Sequence, residues 1–269
     1  MRIIYKQKKF DQKPQDIDEY CSWINQHKDS LPYSRTKNYY EDVMQSILTQ
    51  MKGKPFWTKF LEMKEDYELE YKSRKEFDLF SKEKVEIVTK SFDSVVDKTF
   101  RKNVIKNDKW LPDPDKCENV ILLHEAFKKL NDCIRTRLVV KYLDGVTFVV
   151  DKLMSLAKAH GIEARVDYEA KEKGYYAAHV YIYEIFNIPP LDYEASKEQV
   201  KFEIQITTQI QDTIYLLTHK YYDASRSQTI TKTKTWQWDY ESDEFSANYM
   251  GHMLHYLEGI IMNVRESYK

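Results

Sequence analysis

The spacing of hydrophobic positions changes at one point in the second half of the chain. From Val200 to Thr207 polar and apolar residues alternate, which is the period of a β-strand with one face on a core. After this run, apolar residues recur at helical spacing, at Ile210, Ile214, Leu217 and Tyr221. The pattern predicts a strand followed directly by a helix, with Glu203 in mid-strand on the polar face.

The pattern elsewhere predicts helices and strands in a mixed order. Residues Gln15 to Lys102 have helical spacing, including a charged segment from Phe56 to Phe80 and a helix from Lys84 to Lys102. A loop with two prolines follows from Asn103 to Glu118. The remaining predicted elements are, in order, a short helix around Phe127, a strand at Thr136–Tyr142, a turn at Asp144-Gly145, a helix ending at Gly161, strands at Ala164–Tyr168 and Ala177–Phe186, and a last helix at Phe245–Val264.

This order of elements predicts an α+β (α/β-like) fold with a mixed β-sheet of about four to five strands flanked by helices. We expect a helical N-terminal region at 1–83 and an α+β domain at 84–222. The segment 223–269 is expected to hold a surface hairpin at Ser225–Trp238 and a C-terminal helix packed on the same domain.

Composition narrows the class of protein. The net charge is −1 at pH 7, so the overall charge neither requires nor excludes a nucleic-acid partner. The three cysteines, Cys21, Cys117 and Cys133, include no CxxC pair, which indicates a reduced protein without a structural zinc site. No signal peptide and no apolar run near the roughly 20 residues of a membrane span is recognisable, so we expect a soluble cytoplasmic protein with no membrane partner.

One face of the predicted helix at Lys84–Lys102 carries cations. At 100° per residue, Lys90, Ser94, Lys98 and Arg101 fall on one side, opposite an apolar side that faces the core. A solvated basic face is the common explanation of such a row. A polyphosphate is the other, because the row has no acids interspersed along it.

Two acids stand at strand positions where they can act together. Asp132 enters the strand that contains Arg137, and Glu203 lies within the last strand. Two carboxylates at adjacent strand ends can share a Mg²⁺, which takes one or two carboxylates and completes its shell with water and phosphate oxygens. Alternatively, Glu203 faces water on a half-exposed strand. The chain has no GxxxxGK[ST] and no GxGxxG, so a phosphate site here is of another type.

Four segments, in the same order, resemble the motifs of RelA/SpoT-type (p)ppGpp synthetases, a nucleotidyltransferase-like family. KSFDSVVDKTFRK, residues 90–102, resembles their basic helix, and DCIRTR, residues 132–137, resembles D-x-x-G-x-R. KGYYAAH, residues 173–179, is similar to NGYRSLH, and EIQITTQIQDTIYLLTHK, residues 203–220, is similar to the EIQIRT stretch. The resemblance makes 84–222 the synthetase domain and implies pyrophosphate transfer from ATP.

The resemblance also implies residue roles. It assigns ATP binding to Lys90, Ser94, Lys98, Arg101 and Arg137. Asp132 is implied to hold Mg²⁺, and Glu203 either to help hold it or to act as base toward a 3′-hydroxyl. Tyr175 is implied to stack on the acceptor base, and the residues around it are Lys173, His179 and Gln205. Without the motifs, the alternative is an ordinary structural role for Tyr175, His179 and His219.

The departures from the motifs bear on the acceptor. Arg135 replaces the glycine of D-x-x-G-x-R, Tyr176-Ala177 replaces Arg-Ser, and Thr207 replaces the arginine of EIQIRT. Each lost arginine removes a fork that could hold the phosphates of a free guanine nucleotide. In these departures the chain resembles the toxic small alarmone-synthetase relatives (toxSAS), several of which pyrophosphorylate the 3′ end of tRNA.

Three functions follow as hypotheses. The first is a translation-inhibiting toxin that modifies the tRNA 3′-CCA end and is neutralised by a protein antitoxin. Two basic clusters, at Arg2, Lys6, Lys8 and Lys9 and at Lys232 and Lys234, would then contact the tRNA backbone; the alternative for each is an ordinary surface. The second is a stand-alone alarmone synthetase that makes (p)ppGpp from GDP or GTP, or an adenine analogue. The third is a non-catalytic relative that binds nucleotide.

Overall fold

The computed structural model describes residues 12–81, 85–191, 195–226 and 235–267. Within those ranges the α-helices are α1 Ile17–Ile24, α2 Tyr33–Met51, α3 Pro55–Lys75, α4 Phe92–Phe100, α5 Ala126–Lys129, α6 Leu143–Ala159, α7 Gln209–Arg226 and α8 Asp243–Ser267. The strands are β1 Ile87–Thr89, β2 Ile134–Val140, β3 Glu163–Ala170, β4 Tyr176–Ile188 and β5 Ser196–Thr208. A π-helical turn at Arg101–Ile105 extends α4, and short 3₁₀ turns lie at Pro114–Lys116, Leu123–Glu125 and Trp236–Trp238.

The five strands form one sheet in the order β1-β2-β5-β4-β3. The predicted α+β class, with a mixed sheet of four to five strands flanked by helices, is confirmed.

Contacts divide the chain into two compact units. Unit 1 comprises Met1–Gly53, Val88–Arg135 and Tyr183–Phe202, and unit 2 comprises Lys54–Ile87, Thr136–Ile182 and Glu203–Lys269. The predicted division at 1–83, 84–222 and 223–269 stays a prediction.

In unit 1, buried aromatic side chains fix α4 against α1. The Tyr20 ring lies 5.3 Å from that of Phe100, and its hydroxyl accepts a hydrogen bond of 2.9 Å from Asn103 Nδ2. The Trp23 indole donates to the carbonyl of Pro112. Because one side of α4 is packed in this way, its opposite side remains for polar residues.

In unit 2, a polar network joins α3, α6 and α8. The Tyr71 hydroxyl donates to Asp144 Oδ1 at 2.7 Å and accepts from Arg265 Nη1 at 3.1 Å. Arg265 also pairs directly with Asp144, and its guanidinium lies over the rings of Phe77 and Tyr142. The buried Arg265 therefore fixes the C-terminal end of α8 to the first turn of α6.

The predicted helix at Lys84–Lys102 is wrong in its first half. Ile87–Thr89 form β1, and the helix begins only at Phe92, after the N-cap Ser91. The physical reason is that β-branched residues precede a serine whose hydroxyl accepts a hydrogen bond from the Ser94 amide. Lys90 therefore precedes the helix, and only Ser94 and Lys98 lie within it.

The predicted turn at Asp144-Gly145 is also wrong, because both residues lie in the first turn of α6. A carboxylate is favourable at a helix N-terminus. The glycine serves packing, since a Cβ at Gly145 would lie 3.0 Å from Leu79 Cδ1 and 3.2 Å from Val140 Cβ. The end of the same helix is as predicted: Gly161 follows it with φ +65°.

The described ends of the Ser225–Trp238 segment are helical rather than the predicted hairpin, since α7 continues through Arg226 and Trp236–Trp238 form a 3₁₀ turn. Residues 227–234, with Lys232 and Lys234, lie outside the described residues, as do Arg2, Lys6, Lys8 and Lys9. In the described part of the chain, every helix is too short or too polar to cross a membrane.

Candidate active site

In unit 1, two ammonium groups hold the Asp132 carboxylate. Lys90 Nζ lies 3.1 Å from Oδ2, and Lys98 Nζ lies 2.7 Å from Oδ1. The backbone amide of Lys90 donates to the carbonyl of Cys133 at 2.8 Å, which places Lys90 beside the entrance to β2. Three residues predicted from two separate motifs therefore form one cluster.

The cluster carries more positive than negative charge. Burial by itself would raise the pKa of Asp132, but the charges of Lys98 and Lys90 outweigh it and the pKa is lowered. The pKa of Lys102 is lowered by desolvation and then by the like charge on Lys98. Lys102 was not predicted as a site residue, although it ends the basic motif. The excess of lysine ammonium groups over the single carboxylate makes the cluster suitable for binding a polyphosphate.

The lowered pKa of Asp132 predicts a pH-dependent contribution to stability. Because the folded-state pKa lies below the ordinary value, the contribution is fully present above that value and is lost as pH falls through the folded pKa. Without divalent cations, we expect Asp132→Asn to lower the free energy of unfolding at pH 7, with a difference from wild type that shrinks toward pH 3. Urea denaturation at pH 7, 5 and 3 measures it.

The control is Asp93→Asn, at an exposed acid in the first turn of α4. Its effect on the free energy of unfolding is expected to stay within the range of a helix-dipole contribution, about 0.3–1 kcal/mol. A difference between wild type and Asp132→Asn that does not shrink on acidification would contradict the assigned ion pairs.

The other two residues predicted on the cationic row have different partners. Ser94 is exposed, and its hydroxyl lies 2.9 Å from that of Ser91. The Arg101 guanidinium pairs with Asp97, with distances of 3.1 Å from Nε and 2.7 Å from Nη2 to Oδ2. The structure therefore brings Lys90 and Lys98 to Asp132, and pairs Arg101 with Asp97.

In unit 2, Glu203 is buried and its two oxygens have separate partners. Only 5% of the residue is exposed. Oε1 lies 2.9 Å from His179 Nδ1, and Oε2 accepts a 2.9 Å hydrogen bond from Gln205 Nε2. The alternative in which Glu203 faces water is wrong, because β4 and β5 are adjacent and His179 covers the carboxylate.

His179 links Glu203 to Tyr175. Its Nε2 lies 3.0 Å from the Tyr175 hydroxyl. Burial raises the pKa of Tyr175, which keeps that hydroxyl protonated at neutral pH. This hydroxyl can donate to Nε2, and Nδ1 is then the ring nitrogen that carries the proton facing Glu203 Oε1. Three predicted residues thus form the chain Tyr175–His179–Glu203; the side chain of His219 lies outside the described ones.

Arg137 is fixed by residues that sequence reasoning did not assign to the site. Its Nη1 lies 2.6 Å from Oδ1 of the buried Asp212, and its guanidinium lies 4.4 Å from the centre of the Tyr215 ring. Burial would lower the pKa of Arg137, but Asp212 outweighs it and the pKa is raised. The Nη2 atom lies 3.4 Å from Gln205 Oε1. Asp212 and the preceding Gln211 lie within the segment 203–220 that resembles the last family motif.

Lys173 lies in the turn before Tyr175 but its ammonium group is directed elsewhere. It pairs with Glu244 of α8 at 2.6 Å. A different lysine, Lys171, lies over the Tyr175 ring, 5.2 Å from its centre. The predicted role of Lys173 at the acceptor is therefore indirect at most.

The donor chemistry of the predicted metal ligands is compatible with Mg²⁺. Asp132 supplies an ionised carboxylate, and Glu203 supplies a second carboxylate with Gln205 beside it. Mg²⁺ needs one or two carboxylates when phosphates and water complete its shell. Among the described residues there is no group of three or more His, Cys, Asp or Glu arranged for a metal.

Solved structures of small alarmone synthetases share this fold. Small alarmone synthetase 2 from Bacillus subtilis is 18% identical, with a TM-score of 0.50, and the match covers 87% of this chain and 99% of that one. A GTP pyrophosphokinase family protein from Streptococcus pneumoniae is 15% identical, with a TM-score of 0.51, and the match covers 85% of this chain and 94% of that one. Small alarmone synthetase 1 from B. subtilis, in a structure bound to its product pppGpp, is 16% identical with a TM-score of 0.50. This match covers 79% of this chain and 97% of that one.

Sequence comparison identifies the family. None of the curated proteins matches the chain significantly in sequence. The family described as "Region found in RelA / SpoT proteins" matches residues 88–225, just over half of the 269 residues. That range contains the Lys90–Lys98–Asp132 cluster, the Tyr175–His179–Glu203 chain and Arg137. The chain therefore belongs to the RelA/SpoT family.

Proposed function

We propose that this protein is an ATP-dependent pyrophosphokinase that transfers pyrophosphate to the ribose 3′-hydroxyl at the 3′-CCA end of tRNA. Modification there blocks aminoacylation, so the enzyme would act as a translation-inhibiting toxin with a protein antitoxin as its partner. The supporting observation concerns Tyr176 and Thr207, which occupy the positions of arginines in the family motifs. Both side chains are in contact with other residues of the protein.

Neither residue offers a cation to an acceptor phosphate. The Tyr176 ring stacks on His255 of α8, with 3.6 Å between ring centres and 10° between planes. Its hydroxyl lies 2.8 Å from Nδ1 of His252. Thr207 is buried and donates a hydrogen bond of 3.2 Å to the Tyr176 carbonyl. A guanine nucleotide with free 5′-phosphates would lack two of its expected partners here, whereas a tRNA end needs only its terminal ribose and base held.

The residues divide the reaction between them. Lys90, Lys98 and Arg137 would neutralise the triphosphate. The acceptor 3′-oxygen attacks the β-phosphorus, the bond between the α- and β-phosphates breaks, and AMP leaves. Glu203 would accept the proton of the 3′-hydroxyl, with His179 orienting the carboxylate. Asp132, with or without Glu203, would hold a Mg²⁺, which when bound neutralises phosphate charge.

The test uses ATP labelled in its γ-phosphate, Mg²⁺, and either bulk tRNA or GDP and GTP. We expect label in tRNA and equimolar AMP. Periodate-treated tRNA, which lacks the terminal 3′-hydroxyl, is the control and should remain unlabelled. Label found only in a guanine nucleotide would reject tRNA as acceptor.

A stand-alone alarmone synthetase, making (p)ppGpp or an adenine analogue, is the second candidate. Its support is the retained Tyr175 and the fold shared with a synthetase whose structure holds its product pppGpp. Chromatography of the nucleotide products in the same assay distinguishes the two enzymes. A non-catalytic nucleotide-binding relative is less well supported, since Asp132 and Glu203 are both retained.

Replacing Tyr175 should affect the acceptor selectively. Base–aromatic stacking contributes about 1–3 kcal/mol per base, so Tyr175→Ala is expected to raise the acceptor KM roughly 5- to 150-fold. Tyr175→Phe keeps the ring, loses only the bond to His179, and should change the KM much less. Steady-state kinetics with each substrate varied separately measures both. Tyr168→Ala, at an exposed tyrosine of β3, is the matched control; an equal rise in the KM for ATP would contradict the assignment.

A further inference from the structure

The turn between β3 and β4, residues 171–175, carries Tyr175 and has a constrained backbone. The Lys171 amide donates to the Tyr175 carbonyl at 2.9 Å, and the Gly174 amide donates to the Lys171 carbonyl at 2.9 Å. Gly174 has φ +72°, a conformation that L side chains rarely adopt. Two internal hydrogen bonds define the shape of the turn but not its position.

The backbone of α8 touches this turn directly. A Cβ at Gly251 would lie 2.3 Å from the Gly174 oxygen, and a Cβ at Gly174 would lie 2.4 Å from the Asn248 oxygen. Both clashes are with backbone atoms, which have no rotamer to move. By contrast, a Cβ at Gly259 of the same helix would meet nothing within 4 Å. Gly251 is therefore required by the contact, and Gly259 is not.

Polar groups of α8 hold the same turn on either side of the glycines. His252 Nε2 lies 2.9 Å from the Glu172 carbonyl, which only accepts, so Nε2 carries the proton and Nδ1 accepts from the Tyr176 hydroxyl. Glu244 pairs with Lys173 at 2.6 Å. One face of α8 thus bonds to successive residues before and after Gly174.

The helix that makes these contacts is itself fixed. At its far end Arg265 is bound to Asp144 and Tyr71, within unit 2. Near Gly251, the Gln211 side chain of α7 lies 3.4 Å from the Gly251 carbonyl. A helix held at both places can act as a reference for the turn.

We propose that α8 is a positioning element of the acceptor site, with Gly251 as the point where it sets the location of turn 171–175 and therefore of Tyr175. The inference rests on the proposed function in so far as Tyr175 binds the acceptor. It assigns a part in acceptor recognition to a helix outside the residues 88–225 that match the family. Gly251 and His252 are positioning residues, since neither contacts a reacting atom.

The test compares Gly251→Ala with Gly259→Ala. Misplacing a binding group by about 1 Å costs on the order of 10²-fold, so Gly251→Ala is expected to reduce kcat/KM for the acceptor by about that factor. The KM for ATP should stay unchanged. Gly259→Ala, which enters open space, should leave both parameters unchanged and raise Tm. Equal losses for acceptor and ATP, or no loss for either, would overturn the proposal.

A second measurement is independent of activity. Gly174 is buried where α8 packs on it, so hydrogen exchange at the Gly174 amide is expected to be faster in Gly251→Ala than in Gly259→Ala. His252→Ala removes two hydrogen bonds without introducing a clash, so it replaces Gly251→Ala if that variant does not fold. It should likewise make exchange faster and lower kcat/KM for the acceptor. If wild type transfers pyrophosphate to no acceptor, the proposed function fails while exchange still decides the positioning role. Unchanged exchange in both variants refutes that role.

Discussion

Glu203→Gln is expected to slow pyrophosphate transfer by about 10²- to 10⁴-fold, the usual contribution of a general base. The amide keeps the size of the side chain, and its oxygen still accepts from His179 Nδ1, so the fold of β4 and β5 should be preserved. The substitution removes the negative charge and the capacity to accept the hydroxyl proton. It also puts an amide nitrogen in place of the oxygen that accepts from Gln205 Nε2, so that one hydrogen bond is lost. Single-turnover release of AMP with saturating ATP and acceptor measures the chemical step.

The matched control is Glu198→Gln in the same strand. Glu198 pairs with Lys128 at 2.8 Å, and its replacement should leave the rate unchanged. Binding of a non-hydrolysable ATP analogue to Glu203→Gln, measured by calorimetry, separates the two roles implied for Glu203. Retained affinity with lost transfer supports the base, and lost affinity in the presence of Mg²⁺ supports the metal ligand. A wild-type rate of transfer would exclude both roles.

Asp144→Ala should cost about 3–5 kcal/mol of unfolding free energy, because it removes the counter-charge of a buried arginine side chain. The Arg265 side chain, 4% exposed, would be left with the Tyr71 hydroxyl and two aromatic rings and no counter-charge. Urea denaturation at pH 7 measures the loss.

Two comparisons make this result specific. Glu62→Ala removes one partner of an exposed pair with Lys59, and surface pairs contribute about 0–1 kcal/mol. In the double variant Asp144→Ala/Arg265→Met no charge is left buried, so it should be more stable than Asp144→Ala alone. If the double variant is less stable than the single one, the loss arises from packing and not from the unpaired charge.

Periodicity was a good guide to the boundary between a long strand and the long helix that follows it. The alternation at Val200–Thr207 gave way to helical spacing at the boundary between β5 and α7, which lies between Thr208 and Gln209. It was a poor guide at β1, a strand of three residues, because so short a segment shows no period. There the hydroxyl of the N-cap residue Ser91 determines where α4 begins, and the spacing of hydrophobic residues gives no information on such a cap.

The same distinction applies to the site. Motif spacing predicted Lys90, Lys98 and Asp132, which the structure brings together. The burial of Glu203 depends on which residue of β4 lies opposite it, and the register between two strands cannot be predicted from either segment alone. The contact between Gly174 and Gly251 was likewise beyond prediction, because a glycine in a helix has no pattern that marks a close approach.

Arg137 is already ordered by Asp212 on one side and by the Tyr215 ring beneath it. A free arginine side chain has about 2 kcal/mol of rotamer entropy to lose on binding, and here most of that loss has occurred during folding. The guanidinium has five N–H donors, so it can offer some of them to a phosphate without releasing Asp212. Preorganisation of this kind moves part of the entropic cost of nucleotide binding into the stability of the protein itself.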